Sequence, residues 1–143
     1  QITVPVAQNQ PPTVQLVNVG GQTIVPQGAA LQFDVVATDD VALAQLNFTA
    51  TGAATASVTE PVAAGTTNTT RRFTVNVPAD ATPGAAITVQ AAALDTGALQ
   101  STPAVLNLSV RDGVAPSVTI TAPAAGAQAT PGQTRTVTVM ATD

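Results

Sequence analysis

The sequence has 143 residues, a formal net charge of −4 and only 8% charged residues. It contains no Cys, His, Trp or Tyr, which excludes a disulfide framework, zinc sites of the Cys and His type, and catalytic Ser-His-Asp or Cys-His arrangements. The acidic balance argues against nucleic acid as a partner, and no apolar run reaches the roughly 20 residues of a membrane-spanning helix. We therefore expect a protein that is not an enzyme.

Apolar and polar residues alternate with period two along most of the chain, which predicts β-strands with one apolar face. The pattern is clearest over 31–37, 45–49, 72–77 and 105–110. Pro and Gly separate these runs, and no segment has a helical period. The predicted strands cover 13–19, 29–38, 43–50, 54–59, 70–77, 86–94 and 102–110. Seven short strands in roughly 100 residues are typical of a two-sheet sandwich.

The strand parity also predicts the core. Hydrophobic residues make up 45% of the sequence, and its aromatic residues are three phenylalanines. The residues expected inside are Val14, Leu16, Leu31, Phe33, Val35, Leu46, Phe48, Phe73, Val75, Val77, Ile87, Val89, Leu106 and Leu108.

The sequence repeats itself without a gap when it is shifted by 104 residues. The aligned pairs include Pro12 with Pro116, Val14 with Val118, Leu16 with Ile120, Gly28 with Gly132, Val35 with Val139, Ala37 with Ala141 and Asp39 with Asp143. This self-similarity predicts tandem domains. Residues 1–10 are expected to be the last strand of a preceding repeat, 11–113 one complete domain, and 114–143 the first two strands of a following repeat. In an alternative interpretation, 114–143 acts as a donor segment for another subunit.

Three motifs resemble the bacterial immunoglobulin-like repeats (Big or cadherin-like) of large cell-surface proteins. They are RDGVAPSVTITAPAAG at 111–126, VVATDDVALAQLNF at 35–48, and FTVNVPADATPGAAITVQAAALDTGALQS at 73–101. The resemblance implies an all-β, seven-strand Greek-key sandwich of the immunoglobulin-like class in a tandem array. It also implies an extracellular or cell-surface location and a role in stalks, adhesins or filaments. The sequence lacks the Cys pair and the core Trp of antibody domains.

Four aspartates are candidate metal ligands. In such a sandwich Asp39, Asp40 and Asp95 should gather at the pole where the first strand begins, whereas Asp112 should lie at the opposite pole beside the following domain. Calcium takes six to eight oxygen ligands, so calcium at the domain junctions is one interpretation. The other is that these aspartates only form turns. Gln8 occupies the position of Asp112 in the preceding junction, which counts against a repeated calcium site.

The function expected from these observations is a structural repeat of an extracellular stalk or filament, which acts as a spacer and a self-associating scaffold. Its partners would be neighbouring repeats of the same protein and further copies, because weakly charged strands rich in Thr and Ala leave sheet edges open to pairing. The alternative is an adhesive module that binds a carbohydrate or a partner protein. That function needs exposed aromatic rings or a charged cleft, and the sequence predicts neither.

Overall fold

The computed structural model describes residues 8–143. The chain divides into two compact units, Gln1–Asp112 and Gly113–Asp143. In the described part of the first unit the strands are β1 (Thr13–Asn18), β2 (Ile24–Pro26), β3 (Ala30–Thr38), β4 (Leu43–Gly52), β5 (Ala56–Pro61), β6 (Asn68–Asn76), β7 (Ala86–Asp95) and β8 (Ala104–Arg111). The second unit contains β9 (Ser117–Ala122) and β10 (Thr138–Thr142). Over residues 8–143 there is no helix long and apolar enough to cross a membrane.

Two sheets make up the first unit. One has the order β1-β3-β6 and is antiparallel throughout. The other has the order β2-β8-β7-β4-β5, in which β2 runs parallel to β8 and the remaining pairs are antiparallel. Each sheet turns its apolar face inward, as the period-two alternation requires.

The predicted core is confirmed. Phe33, Phe48 and Phe73 are all buried, and the rest of the predicted set is either buried or packed against the buried cluster. The ring centroids of Phe33 and Phe48 lie 5.9 Å apart. The strand register expected from the sequence is therefore correct, because a slip of one residue would expose all three rings.

Strand β2 was not predicted, so the described part of the first unit has eight strands instead of seven. In the sequence, Pro26 and Gly28 are residues typical of a boundary between strands. The structure instead pairs Val25 with Val110 in parallel and buries Val25 completely. Proline is compatible with this position because β2 is an edge strand, where one side of the backbone needs no partner in the sheet.

The second unit is a two-stranded antiparallel sheet. Its register joins Ser117 to Thr142, Val118 to Ala141 and Ile120 to Val139, and it shifts at Thr138. Residues directly opposite each other share a face, so one face carries Val118, Ile120, Val139 and Ala141. All four of these residues are exposed.

Residues 1–7, which carry most of the predicted last strand of a preceding repeat, lie outside the described residues. Residues 8–10 are described, and they are not part of a strand. Asn9 and Gln10 bond instead to turns of the first unit. These two residues thus contact the first unit, and the assignment of residues 1–10 to a preceding repeat stays a prediction.

Candidate functional site

Two turns meet at the end of the first unit where β1 begins. One turn, residues 39–42, connects β3 to β4, and the other, residues 95–99, follows β7. The backbone amide of Thr96 donates a 2.9 Å hydrogen bond to the carbonyl of Ala42 and joins the turns directly. Asp39, Asp40 and Asp95 all lie at this pole, as the sequence predicts.

Asp39 stabilises its own turn. Its Oδ2 accepts hydrogen bonds from the backbone amides of Val41 at 3.0 Å and Ala42 at 2.7 Å. A side chain that accepts from backbone two and three residues ahead is the ordinary way in which Asp forms a turn. Its Oδ1 is shielded from solvent and has no hydrogen-bond partner among the described residues.

Asp95 is the most buried ionisable residue at this pole, with 1% of its surface exposed. Its Oδ1 accepts from the backbone amide of Leu99 at 2.7 Å, and its Oδ2 accepts from the side-chain amide of Asn9 at 2.7 Å. The turn is tightened by a hydrogen bond from the Asp95 amide to the Leu99 carbonyl and by a positive φ of 64° at Ala98. A buried carboxylate needs such donors, because an unpaired charge in the interior is strongly unfavourable.

The segment before β1 is held at a second point. The backbone amide of Gln10 donates a 3.2 Å hydrogen bond to Oδ1 of Asp40. Gly97 lies against the same segment, and a Cβ at position 97 would collide with Nδ2 of Asn9. Asn9, Asp40, Asp95 and Gly97 therefore form one contact site, which we call the pole socket.

The four predicted calcium ligands lie at the two poles that the sequence predicts, three at the pole of β1 and Asp112 at the other. Asp112 follows β8 at the end of the unit opposite to Asp95, because β7 and β8 are antiparallel. No group of three or more Asp, Glu, His or Cys side chains in the described chain is arranged to hold a metal ion. Oδ2 of Asp39 and both carboxylate oxygens of Asp95 accept hydrogen bonds from amides. Calcium at a junction between domains stays a prediction.

Sequence reasoning missed Asn9 and Gly97. The sequence does contain one indication of the socket. Asp95 ends a strand on the face that is otherwise apolar, and a buried carboxylate there requires a hydrogen-bond donor. The identity of that donor was not accessible, because Asn9 is 86 positions away along the chain and belongs to a segment assigned to another domain.

Arg71 and Arg72 each form an ion pair elsewhere on the described part of the first unit. Arg71 on β6 contacts Glu60 on β5 at 2.7 Å and so bridges strands of the two different sheets. Arg72 forms a two-pronged pair with Asp34 across β6 and β3, with distances of 2.7 and 2.8 Å. The hydrogen bond from Arg72 lowers the pKa of Asp34 below its usual value, and the same bond raises the pKa of Arg72.

The surface of the first unit also carries an open cleft of about 360 Å³ beside the turn after β1. Its lining includes Asn18, Val19, Pro26 and Leu31, and it contains no charged residue. The three phenylalanines, which are the aromatic residues of the sequence, are all in the core. No aromatic ring is therefore available on the surface for stacking against a sugar.

Comparison with solved structures identifies the fold class. The chain is similar to the PKD domain of an M14-like peptidase from a Thermoplasmatales archaeon, with a TM-score of 0.52 and 17% identity over 73% of this chain and 99% of that domain. This likeness shows an all-β sandwich of the immunoglobulin-like class.

More distant likenesses are to the sporulation control protein Spo0M from Bacillus subtilis and to a CARDB domain from Pyrococcus furiosus. The first has a TM-score of 0.49 and 12% identity, over 71% of this chain and 50% of that one. The second has a TM-score of 0.44 and 10% identity, over 76% of this chain and 98% of that one. No protein-family model and no curated protein sequence matches the chain. Its assignment to bacterial Big or cadherin-like repeats therefore has no sequence match to support it.

Proposed function

We propose that the chain is a segment of a tandem array of immunoglobulin-like repeats, and that the array works as a structural spacer in an extracellular stalk or filament. The chain then has no catalytic role, and its partners are neighbouring repeats and further copies of the same protein. The observation that carries this proposal is that the second unit repeats the strand pairing of the first unit at a distance of 104 residues.

The repetition extends to the register of the strands. In the first unit β1 and β3 pair Thr13 with Thr38, Val14 with Ala37 and Leu16 with Val35. Moved by 104 positions, these are the pairs Ser117 with Thr142, Val118 with Ala141 and Ile120 with Val139.

Side-chain contacts repeat as well. The hydroxyl oxygens of Thr13 and Thr38 lie 2.6 Å apart, and so do those of Ser117 and Thr142. The match ends at Thr138, where the register of the second unit shifts. This agreement supports the interpretation of 114–143 as the opening strand pair of another sandwich.

The two strand pairs differ in what covers them. In the first unit Val35 and Ala37 are buried, with Val14 and Leu16 packed against the core. Their equivalents in the second unit are open, with Val118 at 67% exposure, Ile120 at 63% and Val139 at 54%. A two-stranded sheet is at best marginally stable in water, and apolar burial is worth about 25 cal/mol per Å². We therefore propose that an opposing sheet covers this face in the working protein.

The edges of the first unit suit lateral contacts between copies. Strand β5 is the edge of the five-stranded sheet, and most of its residues are exposed. An exposed edge presents unpaired backbone groups to other chains unless charge, Pro or a bulge protects it. Strand β5 offers Glu60 and Pro61 as protection near one end only. Self-association of stalks through such edges belongs to this proposal.

The alternative, an adhesive module, has weaker support. The open cleft is uncharged, and the aromatic rings are buried, so neither a charged ligand nor a stacked sugar finds an evident platform in the described residues.

The spacer function can be tested by small-angle X-ray scattering on polypeptides that contain residues 9–112 once, twice and three times in tandem. A spacer predicts that the maximum dimension grows linearly, by roughly 40 Å per repeat, given strands of about 3.3 Å per residue and a short linker. Repeats that fold but collapse against one another, so that the maximum dimension does not grow linearly, would contradict the spacer function. An adhesive module predicts instead that a single repeat binds its target as well as three repeats do, after allowance for avidity.

A further inference from the structure

We propose that the pole socket is a binding site for the chain segment Asn9–Gln10, and that it fixes the direction in which the chain enters the sandwich. This inference rests on the proposed spacer function, because an array of repeats stays extended only if the junctions between neighbouring repeats resist bending. The joint consists of the bond from the Asn9 side chain to Asp95 and the bond from the Gln10 backbone to Asp40.

The burial of Asp95 makes the socket specific for a donor. Oδ1 is already used by the Leu99 amide, so Oδ2 depends on Asn9 for its hydrogen bond. If the segment left, Oδ2 would lose this hydrogen bond. Undocking therefore costs a hydrogen bond to a charged acceptor, which is stronger than one between neutral groups.

The orientation of the Asn9 amide is set by the same contact. Its Oδ1 is shielded and has no hydrogen-bond partner among the described residues, whereas its Nδ2 lies 2.7 Å from Oδ2 of Asp95. Reversing the amide would place an oxygen against the carboxylate. Position 9 therefore requires a donor, and a carboxylate of the same shape cannot replace it.

Gly97 provides the space for the amide. The nearest atoms to a Cβ built at this position are Nδ2 of Asn9, then Oδ1 of Asp95 at 3.4 Å and Cγ of Asn9 at 3.6 Å. Any side chain at position 97 would push Asn9 away from Asp95. The backbone bond from Gln10 to Asp40 holds the segment at a second point, where the side chain at position 10 is not involved.

The repeat shift of 104 residues makes this joint different from the next one. Position 113, which aligns with Asn9, is a glycine and carries no side-chain amide. Asp112 aligns with Gln8.

Nuclear magnetic resonance on the 143-residue chain tests the socket. The heteronuclear NOE of the residue 8–10 backbone amides reports picosecond-to-nanosecond motion, and hydrogen exchange of the Gln10 amide reports opening. In the native chain we expect NOE values at residues 9 and 10 equal to those of β1. In Asn9→Asp and in Gly97→Ala we expect these values to fall and the Gln10 amide to exchange at least about tenfold faster, because opening of the segment becomes easier.

Gln8→Glu is the charge-matched control, since it adds the same charge one residue away at an exposed position, and it should behave like the native chain. Asn9→Gly, which copies position 113, should loosen the segment as Asn9→Asp does. The proposal is overturned if residues 9 and 10 move freely in the native chain, or if Asn9→Asp and the control give the same profile.

These readouts come from the first unit alone. A result that contradicts the socket would therefore not contradict the tandem array, and a result that contradicts the tandem array would not contradict the socket. If Gly97→Ala does not fold, the position 9 variants decide the question, because they alter a segment outside the strands.

Discussion

The ring of Phe48 on β4 stacks on the ring of Phe73 on β6, with centroids 4.6 Å apart and planes inclined by 7°. The two strands belong to different sheets, so this contact joins the sheets through the middle of the core. The sequence has three aromatic residues in all, and Phe33 is the other neighbour of Phe48. The rest of the core consists of aliphatic side chains, many of them Ala and Val.

Loss of one stacked ring should be costly. We predict that Phe73→Ala lowers the free energy of unfolding by about 3–5 kcal/mol, since a large side chain is removed from a packed core. Phe73→Leu should cost less, because most of the volume is kept. Chemical denaturation of both variants measures the difference. If both variants lowered the free energy of unfolding by the same small amount, the ring of Phe73 would not be packed between the two sheets.

Gly52 and Gly65 form a matched pair for testing the close approach of β4 to β7. Both have positive φ, 97° and 77° respectively. A Cβ on Gly65 would meet nothing within 4 Å, whereas a Cβ on Gly52 would collide with the carbonyl oxygen of Ala86. We predict that Gly65→Ala costs about 1–2 kcal/mol, the usual cost of a left-handed conformation.

Gly52→Ala should cost clearly more, because backbone must move in addition to the conformational cost. Thermal or chemical unfolding of the two variants side by side checks this order. The reverse order would mean that the strands are not as close at this point as the structure places them.

The pair formed by Asp34 and Arg72 predicts a dependence of stability on pH. Because Arg72 lowers the folded-state pKa of Asp34 below its usual value of 3.8, the pair stabilises the fold at neutral pH. This contribution is lost as the pH falls below 3.8 through the folded-state pKa. We predict that Asp34→Asn is less stable than the native chain at pH 7, and that the gap narrows below pH 3.8.

The pKa of Asp34 is measured directly by a carboxyl NMR titration. In Arg72→Gln it should return towards 3.8. An unchanged titration of Asp34 in that variant would show that the ion pair does not form in solution. Both side chains are accessible to solvent, so added salt should weaken the effect.

The strands and the core could be predicted from the sequence because apolar residues such as Leu31, Phe33 and Val35 alternate with other residues. In a sheet with one buried face, only one register places all three of them inside. Strand β2 could not be predicted, since three residues ending in Pro26 carry too little pattern and their partner Val110 is distant in sequence. For the site, local signals placed Asp39, Asp40 and Asp95 at one pole. Their partners could not be predicted, because hydrogen bonding to Asn9 depends on the path of a linker that has no periodic pattern.

The effect of calcium on stability tests whether the aspartates at the pole socket bind this ion, as the sequence predicts, or only accept hydrogen bonds. A ligand that binds only the native state must raise the melting temperature as its concentration increases. We predict no rise in the melting temperature of the first unit at millimolar calcium, since Oδ2 of Asp39 and both carboxylate oxygens of Asp95 already accept hydrogen bonds from amides. A rise that disappears in the Asp39→Asn and Asp40→Asn double variant would restore the calcium site expected from the sequence.

The central claim is that residues 114–143 are the opening strand pair of another repeat. The chain itself contains the strands needed to complete this repeat for a test. Asp143 aligns with Asp39, so residues 40–112 correspond to the part of the domain that would follow Asp143. A polypeptide in which residues 40–112 follow Asp143 should fold a second domain over the exposed face of β9 and β10.

The decisive measurement is amide hydrogen exchange of β9 and β10 with and without the appended segment. We predict that their amides, poorly protected in the 143-residue chain, approach the protection of β1 and β3 when residues 40–112 follow. Replacing Ile120 and Val139 with Thr should reduce that protection, whereas Thr119→Ser on the opposite face should not. Amides of β9 and β10 that stay unprotected beside a folded first unit would contradict the account.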